Sequence, residues 1–129
     1  MVQIQPEEII IEALENSGVD AWSTLDSLEN VDRVVLINRL SGTIEERSFC
    51  LGWITTTYDI DLQCYVDGSQ LDAYEFADTV FVIMLEMSDN NHWVDLEFYS
   101  IEWLHPLNNR SGASLGIRIT TTNGEKNGN

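Results

Sequence analysis

From Tyr58 to Asp67 the chain alternates without a break: Tyr58, Ile60, Leu62, Cys64 and Val66 are apolar or aromatic, and Asp59, Asp61, Gln63, Tyr65 and Asp67 stand between them. A period of two puts the first set on a buried face and the second on a solvated one. This is the clearest strand in the sequence, and the threonines at 55–57 extend it backward. Residues 33–40 (RVVLINRL) are β-branched and few, which predicts a strand ending at Ser41 and Gly42; residues 43–53 then read as irregular. Farther on, residues 92–103 predict a strand with Val94, Leu96 and Phe98 on one face. The phase then moves to Tyr99, Ile101 and Trp103, which predicts a β-bulge near residues 98–100. After a loop over 106–112, Leu115, Ile117 and Ile119 alternate with Gly116, Arg118 and Thr120 in a last strand.

Two segments change period. Pro6, Glu7 and Glu8 suit a first helical turn, and Ile9, Ile10, Ala13 and Leu14 fall on one face of a helix that stops near Gly18. Residues 20–30 are ambiguous, with Trp22, Leu25 and Leu28 at three-residue spacing, which fits a short helix or turn. Beyond the turn at Asp67 and Gly68, Ser69 and Asp72 have the form of a capping box, and a helix is predicted over 71–87. Its core stripe is Ala73, Phe76, Ala77, Val80, Met84 and Met87. Phe81, Val82, Ile83 and Leu85 leave few polar positions in its second half. A helix apolar on nearly all sides must be covered on both. In a domain this small, a partner subunit would supply the second cover. The expected fold is therefore α+β, a mainly antiparallel four-stranded sheet with two principal helices on one face, in the order α-β-β-α-β-β. One domain over 1–122 is expected, with 123–129, which holds no apolar residue, as a flexible tail.

Charge narrows the function. The 129 residues carry 22 acids against 6 Lys and Arg, a formal net charge of −16. The first 32 residues hold eight of those acids and no Lys or Arg. Phosphate-driven nucleic-acid binding needs clustered cations, and this chain offers none. Such an acidic surface repels nucleic acid, attracts basic partners, or simply keeps the protein soluble. With 43% hydrophobic residues, wholesale disorder is not expected. No apolar run approaches the ~18–20 residues of a membrane helix, and the N-terminal residues lack the pattern of a secretory signal. Cys50 and Cys64 do not make a disulfide framework, so a reduced, intracellular protein is expected.

Catalytic chemistry finds little footing. Asp59, Asp61, Asp95 and Glu97 could gather as a carboxylate cluster for a divalent ion, but alternation alone explains exposed acids on strands. His92 and His105 have no zinc-site spacing, Cys64 falls on an apolar strand face, and no nucleophile elbow or phosphate-binding glycine loop is present. The expectation is a non-enzyme without cofactor or metal.

Taken together, an acidic helix, a strand closing in Arg39-Leu-Ser-Gly42, a variable loop, and the alternating strand 58–66 set up an order of elements. A helix with Ala73-x-x-x-Ala77 follows, and then a close built from Trp103-Leu-His-Pro106, Arg110-Ser-Gly-Ala113 and Ile117-Arg-Ile119. Over roughly residues 5–122 this order resembles the tail terminator proteins of long, flexible-tailed bacteriophages of the lambda type. Ser41 stands where family members often carry a glycine beside Gly42. The resemblance implies a structural virion protein: a hexameric ring that caps the tail tube, stops its polymerisation and presents a face to the head-tail connector. It would sit at the neck end of the tail, having assembled in the host cytoplasm, with DNA passing an acidic lumen without binding. Phe81, Val82 and Leu85, with parts of the 93–103 strand including Trp103, are the candidate subunit interface, though the same positions suit a monomer core. Arg110 or Arg118 could reach across to a neighbour. The 41–57 segment, with Glu45, Glu46, Arg47 and Phe49, is the candidate contact with the tail tube, or else a mobile surface loop. An acidic DNA mimic that inhibits a host nuclease or restriction factor is the alternative.

Overall fold

The computed structural model describes residues 5–22, 32–48, 53–91 and 93–124. Its elements are α1 (Pro6–Asn16), β1 (Ala21–Trp22), β2 (Arg33–Ser48), β3 (Trp53–Val66), α2 (Gln70–Asp89), β4 (Val94–Leu107) and β5 (Arg110–Gly124). The strands form one sheet in the order β1-β2-β3-β5-β4. Only β1 against β2 is parallel; the other neighbours are antiparallel. The expectation of four strands in the order α-β-β-α-β-β is thus corrected: the fold is α+β, but the sheet has five strands, is mixed, and follows α-β-β-β-α-β-β. The addition is β1. Gly18, at φ +81, lets the chain leave α1 in a left-handed turn, and Val35 N–H then bonds Asp20 O at 2.9 Å. Ala21 and Trp22 lie opposite Val35 and Leu36. A two-residue strand is too short to carry any periodicity, so it was invisible within the ambiguous 20–30 segment. Leu25 and Leu28 of that segment lie outside the described residues.

Two other expectations are revised. β2 does not end at Gly42, and 43–48 is not irregular: it pairs with β3 from Gly42 opposite Tyr58 to Ser48 opposite Trp53. Register shifts between Arg39 and Ser41 and between Ile44 and Glu46 absorb the poor strand-forming residues there. Likewise the expected 106–112 loop shrinks to a hairpin turn. Asn108 and Asn109 have φ of 50 and 64, the pair of positive values that a type I′ hairpin needs and that asparagine tolerates. β4 therefore runs through Pro106 to Leu107, and β5 starts at Arg110.

Both helices lie against one face of the sheet. α2 begins at a capping box, Asp72 N–H donating to Ser69 Oγ at 3.2 Å and Ser69 N–H to Asp72 Oδ2 at 2.8 Å. It buries Ala73, Phe76, Ala77, Val80, Ile83 and Met84. Ile10 and Leu14 of α1 join them over Val35, Ile37, Ile60, Leu62, Leu115, Ile117 and Ile119. Arg39 ties α1 to the sheet. Its Nε donates to Glu7 Oε2 at 2.8 Å, its Nη2 to Gln5 Oε1 at 2.7 Å, and its guanidinium lies 4.6 Å from the Tyr58 ring centre. The bond to Glu7 raises the Arg39 pKa further, outweighing the opposing effect of burial. Removing this forked, ring-backed pair in Arg39→Ala should cost about 1 kcal/mol, read as a lower urea midpoint with unchanged slope.

The opposite face is not uniformly solvated. At one end Val34, Leu36 and Tyr65 are buried, with Trp22, Leu104 and Leu107 packed against them. Tyr65, expected on a polar face, instead roofs Gly112, where an added Cβ would come within 2.9 Å of its ring. Glycine is required there by the closeness of that ring.

Candidate functional site

Three surfaces qualify. The first runs along α2 and onto β4. At 100° per residue, Phe81, Leu85 and Val82 follow one another around α2, from its packed side toward solvent. Phe81 is half-buried and meets Phe98 of β4 edge to face, ring centres 4.4 Å apart. Val82 and Leu85 are 51% and 39% exposed. Trp103, 51% exposed, stands on the edge strand opposite Ala113, a core-facing position, and its ring lies 4.5 Å from that of His105. Ile101, opposite Leu115, is half-buried between Phe98 and Trp103 along β4. Of the interface candidates, Phe81 is therefore largely satisfied within its own protomer, while Val82, Leu85 and Trp103 keep apolar surface in water.

Among the described residues β4 is an edge strand, with no neighbour on one side. The bulge is present, with the register shift falling between Phe98 and Ser100. Its consequence differs from the expected grouping of Tyr99 with Ile101 and Trp103. Tyr99 is the extra residue, and its ring projects to the other face, over Gly116, whose added Cβ would lie 3.6 Å from it.

Tyr99 belongs to the second surface, a polar network across four strands. Asp59 accepts from Arg118 Nε at 3.0 Å, from Ser41 Oγ at 3.2 Å and from Tyr99 OH at 3.3 Å. Arg118 also lies 3.9 Å from Glu97 and 5.5 Å from the centre of the Tyr99 ring. The hydrogen bond from Arg118 is the largest influence on Asp59 and holds its carboxyl below the usual carboxylate range. Arg118 is thus engaged inside its own chain. Arg110, the other cation expected to reach a neighbour, donates to Asn108 O at 3.4 Å in its own hairpin. Neighbouring Asp61 is pushed the opposite way, first by burial and then by Glu102.

The Asp59 shift has a testable sign. A carboxyl whose folded pKa is depressed adds stability above its unfolded pKa and loses it as pH falls through the folded one. Arg118→Ala should therefore melt below wild type at neutral pH, with the gap closing progressively below about pH 4. Melting curves of both proteins across pH check this, and the comparison cancels the contribution of Asp61, which has the other sign.

The third surface is the long β2–β3 hairpin. Glu45, Glu46 and Arg47 fall in its β2 arm, while Phe49 lies outside the described residues. Beside it, β3 and β5 are linked by threonine pairs, Thr57 to Thr120 at 3.0 Å and Thr55 to Thr122 at 3.3 Å. The candidate tube contact is therefore a β-arm rather than an irregular loop.

Among the described residues, no group of three or more His, Cys, Asp and Glu side chains could hold a metal ion. Cys64 is buried, its thiol pushed up to about 12 by desolvation and donating to Leu62 O at 3.6 Å, so it is protonated and inert at neutral pH. Cys50 and His92 lie outside the described residues, and His105 is exposed at the strand end. No helix among the described residues is long and apolar enough to cross a membrane. No protein-family model matches the chain, and no curated protein matches it in sequence.

Two features lie beyond the reach of simple periodicity. Tyr99 is one, because the bulge moves one residue out of phase and onto the other face. The other is a groove between α1 and α2, whose signal, Ile9 and Ala13 on the flank of the buried α1 stripe, is present in the sequence but weak.

Proposed function

We propose that the chain is a structural, non-enzymatic ring subunit of a long-tailed bacteriophage neck, of the tail-terminator class. Copies close into a hexameric ring that caps the tail tube, ends its polymerisation and offers the opposite face to the head-tail connector. The observation that carries this reading is the set of apolar side chains left in water, Val82, Leu85 and Trp103, beside β4, which has no strand neighbour on its outer side among the described residues. In a head-to-tail interface this surface of one copy meets a different surface of the next, and the rotation closes. The β2–β3 arm, extending a sheet that already presents strand edges, suits docking onto the tube by strand addition. A ring of copies each carrying −16 presents DNA with a repelling lumen.

Assembly against that charge has a signature. Like charges within a Debye length of ~8 Å repel, so raising salt should strengthen the ring until specific pairs are screened. Light scattering at low and high salt, with negative-stain micrographs, tests the proposal. A ring with a central hole that gains mass as salt rises supports it. A monomer at every salt concentration, or assembly that weakens steadily with salt, overturns it.

One observation favours the second reading, an acidic mimic of DNA. The two helices together carry nine carboxylates and no lysine or arginine, whereas five of the six basic residues lie on strands. A monomer or dimer that binds tightly to a DNA-cleaving enzyme and blocks it would select that reading.

A further inference from the structure

The groove between α1 and α2 has a volume of about 290 Å³. Its apolar lining comes from Ile9 and Ala13 of α1 and Ile83 and Met87 of α2, and Glu12 and Glu86 stand on its sides. It lies at the low end of the ~300–1,000 Å³ of small-molecule clefts, room for a few apolar side chains rather than a cofactor. Methionine is a lining that adapts to different occupants.

Charge says what kind of occupant. The C-terminal ends of both helices line the groove, through Asn16 and Ser17 at the end of α1 and Asn90 and Asn91 after α2. Neither last turn has a basic residue to offset the negative end of its dipole. Glu15 and Asp89 occupy those last turns instead, adding to Glu12 and Glu86. Arg39, the cation that reaches α1, is bound to Glu7 in the first turn, at the other end of that helix.

We infer that this groove docks a basic amphipathic helix of a partner protein, with its apolar face on Ile9, Ala13, Ile83 and Met87 and flanking lysines or arginines against Glu12, Glu86 and the helix ends. An amphipathic helix laid with its apolar face in a hydrophobic groove is a recurring mode of recognition. The groove's apolar lining is separate from Val82 and Leu85, which point about 100° or more away from Ile83 and Met87 around α2; Glu86, four residues after Val82, stands on the border between the two surfaces. The site stands whether or not the copies form a ring.

The probe is a fluorescent peptide of about 18 residues built from Leu, Lys and Ala with leucines at i, i+3 and i+4, beside a scrambled peptide of the same composition that has no apolar face. Anisotropy titrations at physiological salt should give about ten-fold or tighter binding of the amphipathic peptide over the scrambled one, since charge alone attracts both. Glu12→Gln with Glu86→Gln should weaken binding by about ten-fold, whereas Asp95→Asn with Glu97→Gln, which removes the same charge from the edge strand, should leave it nearly unchanged. Ala13→Trp, which fills the groove, should abolish the preference. Amide shifts on peptide addition, read by NMR in the unsubstituted protein, should fall on 9–17 and 83–91 and provide a readout independent of any variant's folding. Equal binding of the two peptides, equal loss in both charge variants, or shifts elsewhere overturn the inference; none of these outcomes bears on ring formation, which is read from mass and images.

Discussion

A Val82→Glu, Leu85→Glu double variant should stay folded and lose the ability to assemble. Both side chains already face water in the protomer, so the substitutions bury nothing new, and exposed changes of this kind usually alter stability by no more than about 0.5 kcal/mol each. In a subunit contact the same carboxylates would be buried without partners, next to a protein of net charge −16. Breaking the pairing of a buried charge costs about 3–5 kcal/mol, and two such charges in every contact exceed what a ring of small subunits can absorb. Light scattering should report the mass of a single chain, with a circular dichroism spectrum and melting temperature close to wild type. A double variant that still assembles like wild type would remove Val82 and Leu85 from the contact.

Tyr65→Ala should produce the largest loss of stability from a residue outside the main core. The ring is buried on the face away from the helices, among Val34 and Leu36, with Leu104 and Leu107 packed against the same cluster. Truncating a large buried aromatic side chain costs about 3–5 kcal/mol, and the lower end applies here because the cluster is small and close to solvent. In a domain of this length the melting temperature should fall by roughly 10 °C. Tyr65→Phe, which keeps the ring and removes only the hydroxyl, should stay within about 1 kcal/mol of wild type. Chemical unfolding of the three proteins measures both differences. A small loss in Tyr65→Ala would mean that this end of the sheet does not rely on its second layer.

The Tyr65 case also marks where the sequence could be read and where it could not. Alternation over 58–67 located β3 and its buried face, because side chains on a strand have no choice but to alternate. The inference that every intervening residue meets water failed at Tyr65, since β2 and β4 bring Val34, Leu36 and Leu104 to the same place from positions distant in sequence. Capping chemistry was legible at Ser69 and Asp72, where one local motif decides the start of α2. The Asn108–Asn109 turn carried a readable signal, two residues that tolerate positive φ, but Pro106 and Gly112 around it suggested a longer loop. β1 could not have been found, because two residues express no period and their partner, Val35 to Leu36, lies some fourteen positions on. Of the interface candidates, the apolar excess of α2 was visible in composition. Which members are satisfied at home depends on where β4 lies: it claims Phe81 through Phe98 and leaves Val82 and Leu85 uncovered.

The border strand β4 has one more consequence. A straight run of unpaired amides on a 14-residue strand would ordinarily invite identical chains to stack on it without limit, as in cross-β fibrils. Here the register breaks after Phe98 and again after Leu104, and Pro106 has no amide hydrogen to donate. Only two stretches, Val94 to Phe98 and Ser100 to Leu104, remain regular, and they are offset by the extra residue between them. Copies that meet along this border are thereby steered away from endless growth and toward contacts that end.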